Sequence, residues 1–554
     1  MLLSGADILV KTLIEQGCNV AFGYPGGQIL DVYDSLYKYR DEIEHVLTAH
    51  EQGAAHAADG YARTTGKVGV VISTSGPGAT NLVTGIATAH MDSVPILAIC
   101  GNVPTSQIGT DSFQEIDITG ITLPITKHNY FVSSVDKLAD TVREAFSLAK
   151  SGRPGPVLID IPKDVQTAMG EYTIMPKACP AEAFCAKDVR IEEAAAAINE
   201  AERPFIYFGG GINASDATRE MLELAELLDA PMACSMMGLS VLPSEHSRFL
   251  GMQGMHGKYA ASMAMNKADC IIALGVRFND RVTGDRSKFA KKATLVQIDA
   301  DGSELSKNII AQHGLRGDIK ATLKKLIPLL NQKKLPDWQA DVEKLREEGV
   351  RYVDNREGLT PRNAVLAVNE FLGENTAVVT DVGQHQMWAA QNLIFKSPRR
   401  FVSSGGLGTM GFGLGAAIGA AYGTKERSVL ITGDGSFGMS LNELATAVSY
   451  NIPLVAVIMN NGVLGMVRQW QTLFYDKHYS ASVLDRKTDF VELAKAFGAT
   501  GCRVNTLDGL KNALEEAFST NSVYVIDCSI DKDELVLPML PPCGSFDDII
   551  MKVD

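Results

Sequence analysis

The 554-residue chain has no run of eighteen uninterrupted apolar residues, which excludes a transmembrane helix. Its opening stretch, MLLSGADILVKTLIEQG, lacks a basic leading segment, and Asp7 and Lys11 break its apolar run. That pattern predicts an amphipathic helix of the mature fold rather than a signal peptide. There is no CxxC pair, and the nine cysteines (Cys18, Cys100, Cys179, Cys185, Cys234, Cys270, Cys502, Cys528 and Cys543) are scattered and odd in number. A disulfide scaffold and a thiolate zinc site are thereby excluded, and a reducing cytoplasm is the expected location. No GK is followed by Ser or Thr, so there is no Walker A loop. No long basic stripe offsets the net charge of −14, which excludes nucleic acid and anionic membrane as partners. No short repeat is present, so the chain is not a solenoid.

What is present is ordinary globular material, 46% hydrophobic and 21% charged, long enough for roughly three domains. Fifty-one glycines point to many tight turns. Three blocks of short apolar strands alternate with helical patterns: GKVGVVISTSGPG, SVPILAICG and PGPVLIDIP; then RPFIYFGGG, DCIIALGVR and ATLVQIDAD; then NTAVVTDVG, RSVLITGDG, IPLVAVIMNN and SVYVIDC. Val- and Ile-rich runs that end in Gly, Asp or Asn before a helix predict parallel sheets buried on both faces. The expected fold is therefore three α/β domains, each a mainly parallel sheet flanked by helices, with ligands where strand C-termini meet helix N-termini. Residues 169–188 and 332–360 lose the strand rhythm and are expected to be linkers, the second partly helical. The domains are then 1–168, 189–331 and 361–545.

Two motifs in the third block carry chemistry. SVLIT runs into Gly433-Asp434-Gly435-Ser436, and PLVAVIM ends at Asn460-Asn461-Gly462. Asn461 lies 27 residues after Asp434, the length of one strand–helix–strand unit, which brings a carboxylate and an amide to one sheet edge. A hard cation such as Mg²⁺ takes oxygen ligands of this kind and shares its shell with a diphosphate. Between the motifs, Ser440 and Glu443 fit a capping box for a helix over SLNELATAVS.

The stretch His50-Glu51-Gln52-Gly53-Ala54-Ala55-His56 invites a zinc reading, but its histidines are six apart, about 240° around a helix, so joint ligation is excluded. Ala54, Ala55 and Ala58 predict a small-residue surface around the Glu51 carboxylate. Gly406-x-Gly408-x-x-Gly411 matches the dinucleotide fingerprint formally, yet no acidic residue follows about 20 positions on.

GDG followed at this distance by NN resembles the thiamine diphosphate motif. SSGGLGTMGFG, TDVGQHQMWAAQ, NNGVLGMVRQWQTLFYD, GTDSFQE, VRFNDRVTG and the terminal LPMLPP resemble the acetohydroxyacid synthase (acetolactate synthase) catalytic subunit family, over essentially the whole chain. The resemblance implies a thiamine diphosphate-binding fold with a Rossmann-like FAD domain in the middle. By the family's pattern Glu51 hydrogen-bonds N1′ of the cofactor's aminopyrimidine and drives its imino tautomer. Gly408 and Met410 hold that ring, Met410 from beneath. Val382, Gly383, Gln384 and His385 contact the diphosphate from one side. Gly433, Gly435, Ser436, Leu464, Gly465 and Met466 contact it from the other. Asp434, Asn461 and the Val463 carbonyl hold Mg²⁺.

FAD falls by the same pattern to Arg153, Gly210, the stretch from His256 through Gly275 to Arg277, and Asp299 to Asp318. Substrate contacts fall to Gly27, Phe113, Gln114, Lys163, Met255, Arg281 and Trp470. Arg281 would bind a 2-keto acid carboxylate with its guanidinium, and Trp470 would select the acceptor side chain.

The sequence departs from the family at Gln28 (Ala is usual), Gly415 (Pro), Asn279 (Asp) and Lys258 (Thr). Gln28 bears on substrate range, Asn279 and Lys258 on flavin affinity. The implied reaction decarboxylates pyruvate and condenses the two-carbon unit with pyruvate or 2-ketobutyrate, the entry to branched-chain amino acids. The alternatives are a catabolic, flavin-free acetolactate synthase and another thiamine diphosphate-dependent decarboxylase or carboligase. A homodimer or homotetramer is implied, with room for a regulatory small subunit.

Overall fold

The computed structural model describes residues 1–177 and 184–552. Cys179 lies outside them, and the other eight cysteines are free thiols. Strand β1 (Leu2–Ser4) precedes a first sheet built from β2 (Val20–Tyr24), β3 (Glu44–Leu47), β4 (Gly69–Ser73), β5 (Ile96–Asn102), β6 (His128–Phe131) and β7 (Val157–Pro162). Strand β8 (Met169–Glu171) then pairs antiparallel with β1. The second sheet takes β9 (Pro204–Phe208), β10 (Met232–Cys234), β11 (Phe249–Met252), β12 (Cys270–Leu274), β13 (Thr294–Asp299) and β14 (His313–Arg316). The third takes β15 (Ala377–Thr380), β16 (Phe401–Ser403), β17 (Ser428–Gly433), β18 (Leu454–Asn460), β19 (Thr500–Val504) and β20 (Tyr524–Ser529).

The first sheet runs β3-β2-β4-β5-β7-β6 and the third β16-β15-β17-β18-β20-β19. Counted from their own first strands these orders are identical, so one topology occurs twice. The middle sheet runs β11-β10-β9-β12-β13-β14, the order of a doubly wound dinucleotide fold whose connections reverse between β9 and β12. The first and middle sheets, and β15-β17-β18-β20-β19 of the third, pair in parallel. The central strands are the branched aliphatic runs expected. In β18, Leu454 through Ile458 are all fully buried, because layers cover both faces of the sheet. Each of the leucine, valine and isoleucine side chains contributes about 1.5–3 kcal/mol.

The first and third sheets lie in one compact unit, and the middle sheet lies in another with residues 386–401 and the segment from residue 530 onward. Inside the first unit, helix Glu51–Thr65 packs along helix Gly413–Thr424. The approach is so close that a Cβ on Gly419 would sit 1.8 Å from the Ala57 carbonyl oxygen. This corrects the reading of the alanine face. Ala54, Ala55 and Ala58 are fully buried against the chain's own elements, Ala55 meeting Gly85 and Ala58 meeting Gly69, and offer no open surface.

Residues 169–171 are likewise not linker. They form β8, whose partner β1 lies ahead of the first helix, Gly5–Glu15, which Ser4 caps by accepting from the Asp7 N–H. In the second weak stretch, helix Pro336–Val350 buries Trp338, Val342 and Leu345 in the second unit, at helical spacing.

Arg63 links two buried carboxylates within the first unit. It bonds Asp59 one turn back and Asp92 at 3.0 Å, and donates to the Ser403 carbonyl at 2.9 Å. Asp92 in turn accepts the Gly405 and Gly406 N–H groups at 3.0 and 2.7 Å. Removing the cation takes a shared charge partner from two fully buried carboxylates. Arg63→Met should therefore cost about 3–5 kcal/mol, read as a lowered denaturant midpoint that adding Asp59→Asn partly restores.

Candidate active site

Gly433 ends β17 and the chain turns directly into a helix at Asp434–Ser440, continued by the short turn Leu441–Glu443. The helix thus begins at the aspartate, six residues before the expected capping box. Ser440 is its last residue and makes no cap, its Oγ being buried without a partner among the described residues. Glu443 instead accepts from the backbone N–H of His50 at 3.0 Å and of Ala49 at 3.2 Å, and from the Thr446 hydroxyl at 2.7 Å. Local sequence suggested a local cap; the tertiary fold gives that carboxylate a partner almost four hundred residues away.

The two motifs do converge. Burial pushes the Asp434 carboxyl up to about 6, partly offset by the backbone N–H groups of Asp434, Gly435, Gly462 and Asn461. Aspartate from one strand end therefore faces the backbone of the next. Gly462, at φ +67°, permits the tight turn, and the Val463 N–H bonds the Asn461 Oδ1 at 3.2 Å.

Around them stand the other residues expected here. Ser436 donates to the Val382 carbonyl at 3.1 Å, Gln384 donates to Gln469 at 3.0 Å, and Asn461 donates to Gln384 at 3.4 Å. A Cβ on Gly433 would meet the His385 ring at 2.9 Å, one on Gly465 would strike Gln384, and one on Gly435 would touch Leu464, Leu484 and, at 3.6 Å, the Met410 methyl. Val382, Gly383, Gln384, His385, Met410, Gly433, Gly435, Ser436, Asn461, Val463, Leu464 and Gly465 are thus gathered at one sheet edge, with Met466 next along the chain.

Asp381, absent from the sequence reading, braces the edge. It is fully buried and accepts from the Gly413 N–H at 2.8 Å and the Thr432 hydroxyl at 2.7 Å. His385 Nε2 is buried with no partner among the described residues, a ring nitrogen left over for a ligand. One carboxylate, one amide and glycines that leave no room for side chains suit a divalent cation bridging to a diphosphate. The GLGTM loop is not a dinucleotide fingerprint: Asp92 takes its Gly405 and Gly406 N–H groups, and Ser404 Oγ takes the Thr409 N–H at 3.0 Å.

A second group gathers at the C-terminal edge of the first sheet. Glu51 opens its helix, and its carboxylate accepts from Asn81 Nδ2 at 3.0 Å, an unforeseen partner. Oε1 of Glu51 lies 3.2 Å from the Cβ position of Gly78, and the neighbouring Gly76 packs on Gln114, which holds φ +63°. Lys163 donates to the Gly27 carbonyl at 2.9 Å, and the Gln28 N–H bonds Thr74 at 3.3 Å. Phe113 is 83% exposed. Glu51, Gly27, Gln114 and Lys163 therefore share one edge. The partners named for Glu51 and for Asp434 have no residue in common.

The histidines flanking Glu51 are structural. His50 caps the helix through Nδ1, and His56, held neutral by burial with its pKa pushed down to about 3, packs edge-on to Phe412. No group of three His, Cys, Asp or Glu residues suited to a metal occurs among the described residues.

Met255 and Arg281 meet in the second unit, where Met255 N–H bonds the Arg281 carbonyl at 2.7 Å and the guanidinium approaches Met255 Sδ at 3.7 Å. At the β9–β12 reversal, Gly209 and Gly211 cross Gly275 with no room for side chains, and the Gly210 and Arg277 positions flank that crossing. Buried oxygens of Gln253 and Asn279 lack partners among the described residues nearby in sequence, so polar groups remain to be satisfied. Asp318 caps helix Ile319–Leu326, and Asp299 ends β13. His256 Nδ1 approaches the Pro538 carbonyl at 3.4 Å. Arg153 lies in the first unit, bonded to Ser93 at 2.8 Å. Trp470 stands on helix Gly465–Phe474, its ring edge-on to Phe474 at 5.5 Å.

Family models for thiamine pyrophosphate enzymes match the chain in three places: the N-terminal TPP binding domain over residues 3–121, the central domain over 191–326 and the C-terminal TPP binding domain over 381–528. Among curated proteins the chain is similar to a probable acetolactate synthase large subunit of Methanocaldococcus jannaschii, 45% identical over 570 residues, covering 100% of this chain and 96% of that protein. It is 43% identical to the acetolactate synthase isozyme 2 large subunit of Escherichia coli, with 100% of both covered. It is 41% identical to the isozyme 3 large subunit, with 99% and 98% covered.

Proposed function

The chain belongs to the acetolactate synthase large-subunit family of thiamine pyrophosphate enzymes, and from that premise we propose the work of its individual residues, its further cofactors and its substrates. The reaction is the acetolactate synthase one: pyruvate loses CO2 and its two-carbon remainder joins a second 2-keto acid, pyruvate or 2-ketobutyrate, in branched-chain amino-acid biosynthesis. The observation that carries this reading is the convergence of Asp434 on the Asn461–Gly462 backbone, at the end of one sheet of a chain that carries Glu51 at the corresponding end of its twin.

When bound, thiamine diphosphate would supply a carbon nucleophile and an electron sink. Asp434, Asn461 and the Val463 carbonyl would hold Mg²⁺, and a carboxyl raised by burial would gain from an adjacent dication. His385, Gln384 and Ser436 would lie against the phosphate oxygens, and the glycine backbone at 383, 435 and 465 would let them approach. Met410 and Gly408 support the aminopyrimidine. Glu51, its carboxylate fixed by Asn81, holds the proton at N1′. Arg281 takes the carboxylate of a keto acid, with Met255 against it, while Gly27, Phe113, Gln114 and Lys163 line the first-sheet side and Trp470 discriminates the acceptor side chain.

FAD binding is part of the proposal, at the β9–β12 reversal, through Gly210, His256, Gly275, Arg277, Asp299 and Asp318, with Arg153 contributing. The unsatisfied Gln253 and Asn279 oxygens favour this flavin-bearing form over the catabolic one. We place the enzyme in the cytoplasm as a homodimer or homotetramer; no helix among the described residues is long and apolar enough to cross a membrane. The relatives are called large subunits, which supports a regulatory small subunit as partner.

Product analysis tests the reading. With thiamine diphosphate, Mg²⁺ and FAD, pyruvate alone should give 2-acetolactate, and added 2-ketobutyrate should divert flux to 2-aceto-2-hydroxybutyrate. Acetaldehyde or acetate as the main product, with no C–C bond formed, would overturn it.

A further inference from the structure

Glu443 is 1% exposed, and its carboxylate lies against the start of the helix that carries Glu51. The first N–H groups of a helix have no partner inside it. Here the His50 imidazole satisfies the Gln52 N–H at 3.0 Å, while Glu443 takes the N–H groups of His50 and Ala49, the two residues immediately before Glu51. The fit is tight: a Cβ on Gly53, in the same first turn, would fall 2.0 Å from Glu443 Oε1. Thr446 orients the carboxylate with a 2.7 Å hydrogen bond from its hydroxyl. An anion in this place also complements the positive end of the helix. From the other side, Asn81 holds the Glu51 carboxylate itself. Glu51 is thus fixed twice, the backbone leading into it by Glu443 and its side chain by Asn81.

A carboxylate taken out of water is costly unless several donors meet it, and the donors that meet this one are the backbone entering Glu51. Glu443 also ends the turn that continues the helix from Asp434, so the chain's own metal-side helix carries the group that fixes its Glu51.

We propose that Glu443 is a positioning residue for Glu51, setting the start of its helix so that the Glu51 carboxylate meets the cofactor ring in register; this rests on the reading of Glu51 given above. Glu443 touches neither substrate nor cofactor and acts through Glu51 alone.

The test is the rate of hydrogen–deuterium exchange at the reactive ring carbon of thiamine diphosphate in the reconstituted holoenzyme, measured beside cofactor Kd and the pyruvate KM. In Glu443→Gln one acceptor is replaced by a donor facing N–H groups. Exchange should slow about a hundredfold, the cost of a misplacement on the order of 1 Å, with Kd and KM changed by less than about threefold. The double variant Glu51→Gln/Glu443→Gln should be no slower than Glu51→Gln, within about threefold, because coupled residues are not additive. Should Glu443→Gln fail to fold, Thr446→Val removes only the orienting hydroxyl and should slow exchange about three- to tenfold. Exchange unchanged in these variants, or slowing that adds in full to that of Glu51→Gln, overturns the proposal while leaving Glu51 in place. Exchange unchanged in Glu51→Gln itself overturns the reading of Glu51, and the proposal with it.

Discussion

Glu51→Gln is expected to fold, to bind Mg²⁺ and thiamine diphosphate close to normally, and to lose turnover by roughly 10²–10⁴-fold. The substitution keeps the size of the side chain and an oxygen that can still accept from Asn81 Nδ2, so the local structure has little reason to change. What it removes is the carboxylate's capacity to take and hold a proton, which an amide lacks. Loss in kcat with cofactor Kd unaltered is the signature of an interaction used in the chemical step rather than in binding. Steady-state kinetics together with calorimetric cofactor titration measure both. Near wild-type kcat would remove Glu51 from the mechanism.

Asp434→Ala should fail differently. A hard cation loses a carboxylate ligand, and apparent affinity for thiamine diphosphate and Mg²⁺ should fall by at least about 100-fold, the upper range seen when even an outer partner of a metal ligand is lost. Stability should not fall with it. Burial raises this carboxyl from its ordinary range to about 6, so in the cofactor-free fold the charged form is disfavoured. The sign follows from proton linkage: between the unfolded pKa and about 6 the folded state binds more protons, stability declines as pH rises through that window, and above it the penalty is complete. Without cofactor, Asp434→Ala should therefore unfold no earlier than the parent at pH 7. Saturation by Mg²⁺ and thiamine diphosphate at parental concentrations would show the metal assignment to be wrong.

The readable part of this chain is its central strands and the chemistry at their ends. Runs such as SVLIT and PLVAVIM are buried on both faces and carry their signal in composition, and Asp434 and Asn461 follow them at a spacing that one strand–helix–strand unit dictates. Edge strands were silent. HNYF in β6 and HGLR in β14 are short, polar and half-exposed, and become strands only because a neighbour offers a ladder. Contacts between distant segments were silent as well. Asn81 beside Glu51, Asp381 beneath the 413 helix and Asp92 under the GLGTM loop have no local pattern, since each pairs with a backbone or side chain set by the tertiary fold. Glu443 shows how a local rule misleads. Ser and Glu three apart before an apolar run satisfy the capping-box pattern, yet the helix had begun at Asp434, and the glutamate was left to cap another helix. The alanines of Glu51–Thr65 misled in the same way: small side chains suit a ligand's approach and close packing equally, and Gly85 and Gly69 lie against Ala55 and Ala58.

In the homodimer proposed above, the Glu51 end of one copy and the Asp434 end of its partner should serve one catalytic centre. Mixing the inactive Glu51→Gln and Asp434→Ala proteins under conditions of subunit exchange tests it directly. Some mixed dimers then hold one centre with both native residues, and acetolactate formation should recover to about a quarter of the wild-type rate for random pairing of a two-fold dimer. Exchange confirmed by mass, with no activity recovered, would contradict it.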